Sequence, residues 1–258
     1  MSNESIQIHL NSEDSIKQYS GTGYVEFSLP FFTVPSTSTL YCSVVHANIP
    51  YSFYNINVLN NTLVYLISNV LTSITIPIGN YTASTLLQQL TLLLPNTFTI
   101  TYNSKQNTYT FTNTSNQFTF VYSSTIGFST CFGLLGFTNV SQASTANGTI
   151  QTLTSNSLIN LAPVRCICIY TTLHTGSIST LAPLNQNILC SIPVSTAPFT
   201  MISYKSTDKY RVNLNTNVFN NIIIKLTDQE CNTLNLNNIN WSLTLQLDVV
   251  DYVFDNNI

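Results

Sequence analysis

Charged side chains are scarce in this 258-residue chain. Lys, Arg, Asp and Glu together make up 7% of it, whereas about a quarter of the residues in a typical soluble protein are charged. With a net charge of only -3, the chain offers no strong positive field to neutralise phosphates, so nucleic acid is not expected as a direct partner. The polar groups that hydrate its surface must therefore be mainly amides and hydroxyls. Because such a surface has little like-charge repulsion, it favours close-packed assembly.

The sequence also lacks the long apolar run of about 18 residues that a membrane helix requires. Residues 1–6 contain neither a basic region nor an apolar stretch, so they do not have the pattern of a signal peptide. We therefore expect no membrane span and synthesis in the cytosol. In such a chain a disulfide framework is not expected, and most of the six cysteines lie in β-patterned or apolar runs, where a thiol packs as a small core residue.

What the chain does contain is enough apolar material to fold. Hydrophobic residues make up 44%, with 14 Phe and 14 Tyr, which excludes a disordered chain. The length suits one large all-β unit or two modest domains with a real core.

The N-terminal part has the pattern of two strands. Val25, Phe27 and Leu29 alternate with polar residues, which predicts a half-buried strand ended by Pro30 and Pro35. Residues 40–49 predict a second strand ended by a proline. We assign residues 1–57 to the first strands of a β-sandwich.

Residues 58–138 predict a small α+β domain inserted into that sandwich. Strands are expected at 62–67, 73–78 and 118–122, with a hairpin at 98–102 and 108–112. Leucines at helical spacing predict a helix that Thr82 or Ser84 caps and Pro95 ends. A second, short helix with a glycine stop is expected within 128–137.

Residues 139–258 are assigned to the remaining strands of the sandwich. Their first part, to residue 157, is rich in Ser, Thr, Asn and Gly and predicts a surface linker. Six further strands are expected at 164–170, 188–192, 199–204, 210–214, 221–226 and 241–249. With the two N-terminal strands they make about eight, the number in a jelly roll. Strand count alone does not separate a jelly roll from an immunoglobulin-like sandwich.

No candidate catalytic, cofactor-binding or metal-binding residues emerge. A catalytic serine would need a base and an orienting acid, but there is no Gly-x-Ser-x-Gly elbow, and His9, His46 and His174 are far apart in sequence. His46 shares the alternation of Cys42 and Val44, which predicts a partly buried histidine and not a metal ligand or base.

The thiols and glycines favour structural roles over chemistry. Cys166 and Cys168 face the same side of a predicted strand, but a zinc site needs a second pair of ligands, so core packing is favoured. Gly21 and Gly23 are not followed by Gly-Lys-Ser/Thr and predict a turn, not a phosphate-binding loop.

The charged clusters favour structural roles as well. The acidic residues Asp228, Glu230, Asp248, Asp251 and Asp255 could in principle hydrolyse a glycoside or hold a cation. The first two lie where a solvated turn is expected, so the turn interpretation is favoured. Four charged residues of both signs lie close together in sequence: Lys205, Asp208, Lys209 and Arg211. We interpret them as a loop with local ion pairs, which is at most the rim of an interface.

Three sequence blocks resemble the penton, or minor capsid, proteins of virophages, Polinton-like viruses and related large DNA viruses. They occur in the family's order: 10–15, 25–29 and 43–57; then 76–82 and 134–137; then 189–194, 222–228 and 237–247, which includes Trp241. No single block is diagnostic, but the ordered combination is fairly specific. Many relatives carry Gly where this chain has Asn238 or Ile239.

The resemblance implies a single jelly roll with an inserted domain facing outward from the capsid. It implies a non-enzymatic structural protein that forms homopentameric pentons at the icosahedral fivefold vertices of a double-stranded DNA virus. Its partners would be a double jelly-roll major capsid protein and, as further candidates, other minor capsid proteins and a host surface receptor or glycan. The protein would be located in the virion capsid after assembly in the host cytoplasm, without a cofactor.

A second hypothesis is a carbohydrate-binding or host-attachment module on the virion surface, since jelly rolls also serve as lectins. Tyr102, Tyr109 and Tyr122 of the inserted domain could supply an aromatic platform, although tyrosines on alternating strands are more often core or interface residues. An enzymatic hypothesis, such as a glycoside hydrolase on a β-sandwich, ranks third because no convincing carboxylate pair is present.

Overall fold

The structure, a computed structural model, describes residues 3–123, 125, 127–173, 187–207 and 210–251. The chain divides into two compact units: unit 1 consists of Met1–Phe53 and Val164–Ile258, and unit 2 of Tyr54–Pro163. Unit 2 is therefore an insertion into unit 1 along the chain, and it is longer at both ends than the segment 58–138.

The described residues form twenty strands, two α-helices and one 3-10 turn at Ser12–Asp14. In chain order they are β1 (Asn3–Asn11), β2 (Lys17–Gln18), β3 (Tyr24–Thr33), β4 (Ser38–Pro50), β5 (Thr62–Ile67), β6 (Val70–Thr75), α1 (Ala83–Leu93), β7 (Phe98–Asn103), β8 (Thr108–Asn113), β9 (Phe118–Phe120), β10 (Tyr122–Ser123), β11 (Gly127–Phe128), α2 (Phe132–Leu135), β12 (Gln142–Ala143), β13 (Thr145–Asn147), β14 (Ile150–Thr154), β15 (Cys166–Thr171), β16 (Ile188–Pro193), β17 (Met201–Lys205), β18 (Val212–Leu214), β19 (Val218–Thr227) and β20 (Ser242–Asp251).

Unit 1 has jelly-roll topology. Its eight main strands in chain order are β1, β3, β4, β15, β16, the pair β17/β18, β19 and β20. The first pairs with the eighth, the second with the seventh, the third with the sixth and the fourth with the fifth, all antiparallel. This is the pairing of one long hairpin wrapped into two sheets. The predicted fold class, mainly β with a single jelly roll, is confirmed.

The two sheets of unit 1 share one apolar core. One sheet has the order β1-β20-β4-β17, with β18 also on β4, and the other has the order β16-β15-β19-β3-β2. Inward-facing side chains of both sheets, including Val25, Leu40, Ile167, Ile224 and Leu245, form a single buried cluster. Unit 2 is inserted between the third and fourth jelly-roll strands, β4 and β15.

A β-bulge in β4 reverses which residues face the core. Val44 lies opposite Leu245 and His46 opposite Thr244, so Val45 is an extra residue on β4. Before the bulge Cys42 and Val44 are buried; after it Ala47 and Ile49 are. His46 is consequently exposed, and its predicted placement beside Cys42 and Val44 is wrong, because an extra residue inverts the alternation.

The sequence predicted that Pro30 ends β3, but the strand does not end there. The strand continues to Thr33 because the ladder between β19 and β3 has an irregular register between Phe219 and Asn221. A proline, which lacks an N–H group, is tolerated where the ladder is interrupted.

Unit 2 contains two four-stranded antiparallel sheets, in the orders β12-β9-β5-β6 and β13-β14-β8-β7, and the hairpin β10-β11. Helix α1 begins with the Thr82 capping box, in which Thr85 is the reciprocal partner, and it buries Leu86 and Leu90 in the core of this unit. The predicted cap, helix and β7-β8 hairpin are confirmed. Gly136 ends α2 in the left-handed conformation, which is the expected glycine stop.

Two predictions within unit 2 are wrong. The strand expected at 73–78 starts earlier, because Ser68 and Asn69, both with positive φ, make a two-residue turn that pairs β6 with β5. The expected linker at 138–157 carries β12, β13 and β14, which pair with β9 and β8. Long-range pairing there overrides a composition typical of loops.

The turn before Trp241 contains two asparagines at positions with positive φ. Asn237 and Asn238 have φ of 52° and 61°, a conformation that Asn tolerates better than most side chains. We expect Asn238→Gly to change the free energy of unfolding of unit 1 by less than about 1 kcal/mol, with either no change or stabilisation. Urea unfolding followed by tryptophan fluorescence measures this. Destabilisation above that limit would mean that the asparagine side chain has an essential role.

Candidate functional site

The histidines that the structure describes lie on a sheet surface and not in a catalytic group. His9 Nδ1 is 3.1 Å from Thr244 Oγ1. Thr244 pairs with His46, and His46 pairs with Lys205, so these four side chains form one row across the outer face of the sheet. The row contains no carboxylate that could orient an imidazole as a base. His174 lies outside the described residues.

The cysteines have structural surroundings. None of the six forms a disulfide. Cys168 Sγ lies 3.8 Å from Ser191 Oγ, and burial raises the pKa of the Cys168 thiol to about 11. Burial likewise raises the pKa of Cys42 and Cys131 to about 12. Since the thiolate is the nucleophile and metal ligand, these three protonated thiols are poor candidates for chemistry.

Asp228 has the turn role that the sequence predicts. Its carboxylate accepts hydrogen bonds from the backbone N–H groups of Glu230 and Asn232 and from the Asn232 side chain. Within the described ranges, no group of three or more His, Cys, Asp or Glu side chains could hold a metal ion. Asp208, Lys209 and Asp255 lie outside those ranges.

Asp248 is the centre of a polar cluster on the outer face of sheet β1-β20-β4-β17. It accepts hydrogen bonds from Ser5 and Gln246 and lies 3.5 Å from Arg211. The Arg211 guanidinium also lies 4.1 Å from the centre of the Tyr41 ring. Burial alone would raise the pKa of Asp248, but the bonds from Ser5 and Gln246 and the charge of Arg211 outweigh it and lower the pKa.

The lowered pKa gives a testable pH dependence. A carboxyl group whose pKa is lower in the folded state contributes stability above its unfolded-state pKa and loses it as the pH falls. We expect Asp248→Asn to lower the free energy of unfolding at neutral pH by less than about 1 kcal/mol, because the pair lies near the surface. Between about pH 5 and pH 2, the wild-type protein should lose more stability than the variant. Urea unfolding across this range tests it; identical pH profiles would contradict it.

The three tyrosines proposed as a sugar platform do not form one. Tyr109 is fully buried, and its hydroxyl donates a 2.6 Å hydrogen bond to the Ala83 carbonyl. Tyr102 donates to Asn107, and the ring centre of Tyr122 lies 5.6 Å from that of Phe132. All three rings pack in or against the core of unit 2, so they do not form the proposed aromatic platform.

A polar cavity that is open to solvent lies in unit 1, and the sequence analysis did not predict it. Its volume is about 400 Å³, and of the described residues that line it, Leu214 alone is apolar. The other lining residues carry neutral hydroxyl or amide groups: Ser36, Ser38, Thr39, Asn213, Asn215 and Asn217. The Ser38 hydroxyl also donates a 2.7 Å hydrogen bond to Asp251. The alternation Asn-x-Asn-x-Asn was its only sequence signal.

The surface of unit 2 is almost devoid of charge. Lys105 is the single charged residue in the sequence 54–163, which contains no Asp, Glu, Arg or His. Several large apolar side chains are exposed on this surface, including Val58, Val70, Leu92 and Leu158. Contacts through this surface must rely on apolar area and on amide and hydroxyl hydrogen bonds, which salt screens little.

These observations define the class: a β-sandwich protein of jelly-roll topology that carries an inserted unit. No helix in the described part of the chain is long and apolar enough to cross a membrane.

No family model matches the sequence, and no curated protein matches it significantly. Among solved structures, the chain is similar to the selenomethionine-labelled mavirus penton protein, with a TM-score of 0.47 and 11% identity, over 96% of this chain and 100% of that chain.

Proposed function

We propose that this protein is a non-enzymatic structural capsid protein that forms homopentameric pentons at the fivefold vertices of a double-stranded DNA virus. The observation that carries the proposal is the topology of unit 1, a complete single jelly roll interrupted by unit 2 between its third and fourth strands. The sequence blocks that resemble penton proteins imply this arrangement independently.

The mechanism of such a protein is packing between subunits. One sheet of unit 1 ends in the edge strands β1 and β17, and the other ends in β16 and the short β2. Edge strands present backbone N–H and C=O groups to a neighbour. A surface with few charges can be buried between subunits with little cost of desolvating ions. Five identical copies would then form a closed ring through one repeated contact.

In this proposal the remaining partners contact the outside of the ring. A double jelly-roll major capsid protein would surround each pentamer, and other minor capsid proteins are further candidates. The virion capsid is the location of the protein, after assembly in the host cytoplasm. Unit 2, with its neutral surface, would face outward.

The mass of the purified protein in solution tests the proposal. Native mass spectrometry and light scattering should find a pentamer, either for the protein alone or after mixing with the major capsid protein of the same virus. Because the surface of unit 2 is neutral, any pentamer held through it should persist when salt is raised. A protein that stays monomeric in both preparations would contradict the proposal.

The polar cavity of unit 1 supports a second candidate function, binding of a neutral carbohydrate. Three hydroxyl and three amide side chains line it; each can donate and accept hydrogen bonds, as a sugar requires. A glycan array probed with the full chain tests this, with Asn213→Ala and Asn215→Ala as site variants. Asn103→Ala, in an exposed turn of unit 2, is the control. Binding that survives both site variants would exclude the cavity.

A further inference from the structure

Phe199 has a backbone conformation that is unusual for a large side chain. Its φ is +66°, in the left-handed region where the Cβ atom of an L-residue is crowded. The other described non-glycine residues with positive φ have smaller side chains: Ser68, Asn69, Asn107, Cys231, Asn237 and Asn238. Strain of this kind persists where the surrounding structure imposes it, and it is enriched at functional positions.

Neighbouring hydrogen bonds impose the conformation. The Phe199 N–H donates a 2.8 Å bond to the Tyr51 carbonyl, and the Tyr51 N–H donates a 2.8 Å bond to the Thr200 carbonyl. The Thr200 hydroxyl donates to the Ala197 carbonyl at 2.6 Å. A glycine or asparagine would satisfy the same backbone bonds with less strain.

The phenyl ring of Phe199 contributes little to the core, so core packing does not offset the backbone strain. This ring is 73% exposed and is not among the side chains that pack against the core of unit 1. Folding alone therefore gives no reason for a strained phenylalanine at this position, and an external contact does.

Phe199 belongs to an apolar projection at the edge of a sheet. Pro198 is exposed beside it, and Met201, which is 49% exposed, begins β17. Strand β17 pairs with β4 on one side and is at the end of its sheet. We call Pro198, Phe199 and Met201 the Phe199 knob. The sequence 188–204 around the knob contains no charged residue.

We propose that the Phe199 knob inserts into the neighbouring copy of this chain and carries the subunit contact of unit 1. The proposed homo-oligomer makes a second copy the occupant, and because each copy carries a net charge of -3, the uncharged surface around the knob is where two copies can meet without bringing like charges together. A closed ring also needs a contact that is not self-complementary, in which each subunit presents a knob to the next. This inference rests on the proposed homo-oligomer and deepens it by naming the contact.

Two substitutions separate an assembly role from a structural one. Phe199→Ala removes the ring and keeps a Cβ atom, whereas Phe199→Gly also relieves the backbone strain. Both should raise the protein concentration for half-assembly at least tenfold in native mass spectrometry. The melting temperature of the unassembled protein should be unchanged in Phe199→Ala and equal or higher in Phe199→Gly.

The control variant is Asn69→Gly, which relieves a positive φ of 62° in the exposed β5-β6 turn without removing apolar area. It should assemble as the wild-type protein does. Assembly of Phe199→Ala at wild-type concentrations would overturn the inference while the proposed function stands. A lower melting temperature of unassembled Phe199→Ala would also overturn it, because the ring would then stabilise the fold.

Photo-crosslinking identifies the occupant. Benzoylphenylalanine placed at residue 199 of the full chain should give a covalent dimer, whereas the same group at residue 69 should not. Dimer formation through residue 199 in a protein that is not pentameric would support the contact and contradict the vertex function. A pentamer without that crosslink would contradict the contact and support the function.

Discussion

Asn55→Asp is expected to destabilise unit 2 by about 3–5 kcal/mol. Asn55 is buried, and its amide N–H groups donate hydrogen bonds of 2.8 Å to the Tyr81 carbonyl and 3.0 Å to the Leu161 carbonyl. Its Oδ1 accepts a 2.9 Å bond from the Tyr81 N–H. The side chain thus joins the first residues of unit 2, the segment before α1 and the last residues of the unit.

The substitution is isosteric but reverses the chemistry of one atom. A carboxylate oxygen would face two carbonyl oxygens in place of an amide that donates to both, and the buried charge would have no counter-ion beside its bond from the Tyr81 N–H. The effect therefore comes from hydrogen-bonding polarity and not from lost volume. Hydrogen exchange of the unit 2 amides measures it, while fluorescence of Trp241, the single tryptophan, reports on unit 1.

Asn103→Asp is the matched control. The Asn103 side chain also accepts backbone bonds, from Lys105 and Gln106, but it is exposed in the β7-β8 turn. A carboxylate keeps this acceptor role, so the cost should stay below about 0.5 kcal/mol. Equal destabilisation by the two variants would contradict the role assigned to Asn55.

Local chemistry made several elements predictable. The Thr82 cap, the leucine spacing of α1 and the stop at Gly136 depend on residues within a few positions of one another. The same is true of the β7-β8 hairpin. Helix caps and short hairpins are determined by neighbouring residues, so a single sequence contains the information that specifies them.

Features that depend on distant residues were not predictable. The extra residue Val45 is visible as a bulge only once β20 is paired with β4, and it moved His46 from the expected inner face to the surface. The strands at 142–154 have the composition of a loop, and pairing with β8 and β9 orders them. The sequence predicted about eight strands, but that number alone does not identify a jelly roll. The pairing of the first strand with the eighth, which the structure shows, was needed to identify it.

The candidate sites depended even more on the fold. The sequence left Tyr109 open as either part of a sugar-binding platform or a core residue, and the structure buries it. Phe199 had no distinguishing signal in sequence, because its φ value is imposed by Tyr51, which is distant along the chain. The polar cavity likewise brings residues 36–39 together with residues 213–217.

Trp241→Ala is expected to destabilise unit 1 by about 3–5 kcal/mol, the cost of removing a large aromatic side chain from a core. Trp241 is 2% exposed, and its Nε1 donates a 2.6 Å hydrogen bond to the Thr22 carbonyl. Its ring meets Phe27 edge to face, with centres 6.0 Å apart. The variant would leave a cavity and a buried carbonyl without its donor.

The backbone of Trp241 also joins the two ends of the described chain. Its N–H donates to the Ser12 hydroxyl at 3.0 Å, and its carbonyl accepts a 2.9 Å bond from the Ser12 N–H. The first and last of the blocks that resemble penton proteins therefore contact each other through Ser12 and Trp241. Such a contact closes the first jelly-roll strand onto the eighth, so the destabilisation should affect unit 1 as a whole.

Because the variant lacks the fluorescent reporter, hydrogen exchange of the β1 and β20 amides is the appropriate measurement, with far-UV circular dichroism in urea for the midpoint. Phe31→Ala is the control, since Phe31 is 71% exposed and its loss should cost below about 0.5 kcal/mol. Trp241→Phe should be intermediate, because it keeps the contact with Phe27 and loses the bond to Thr22. If Trp241→Ala lies within about 1 kcal/mol of the wild-type protein, the joining of the chain ends depends on the hydrogen bonds between the Trp241 backbone and Ser12 and not on the indole ring.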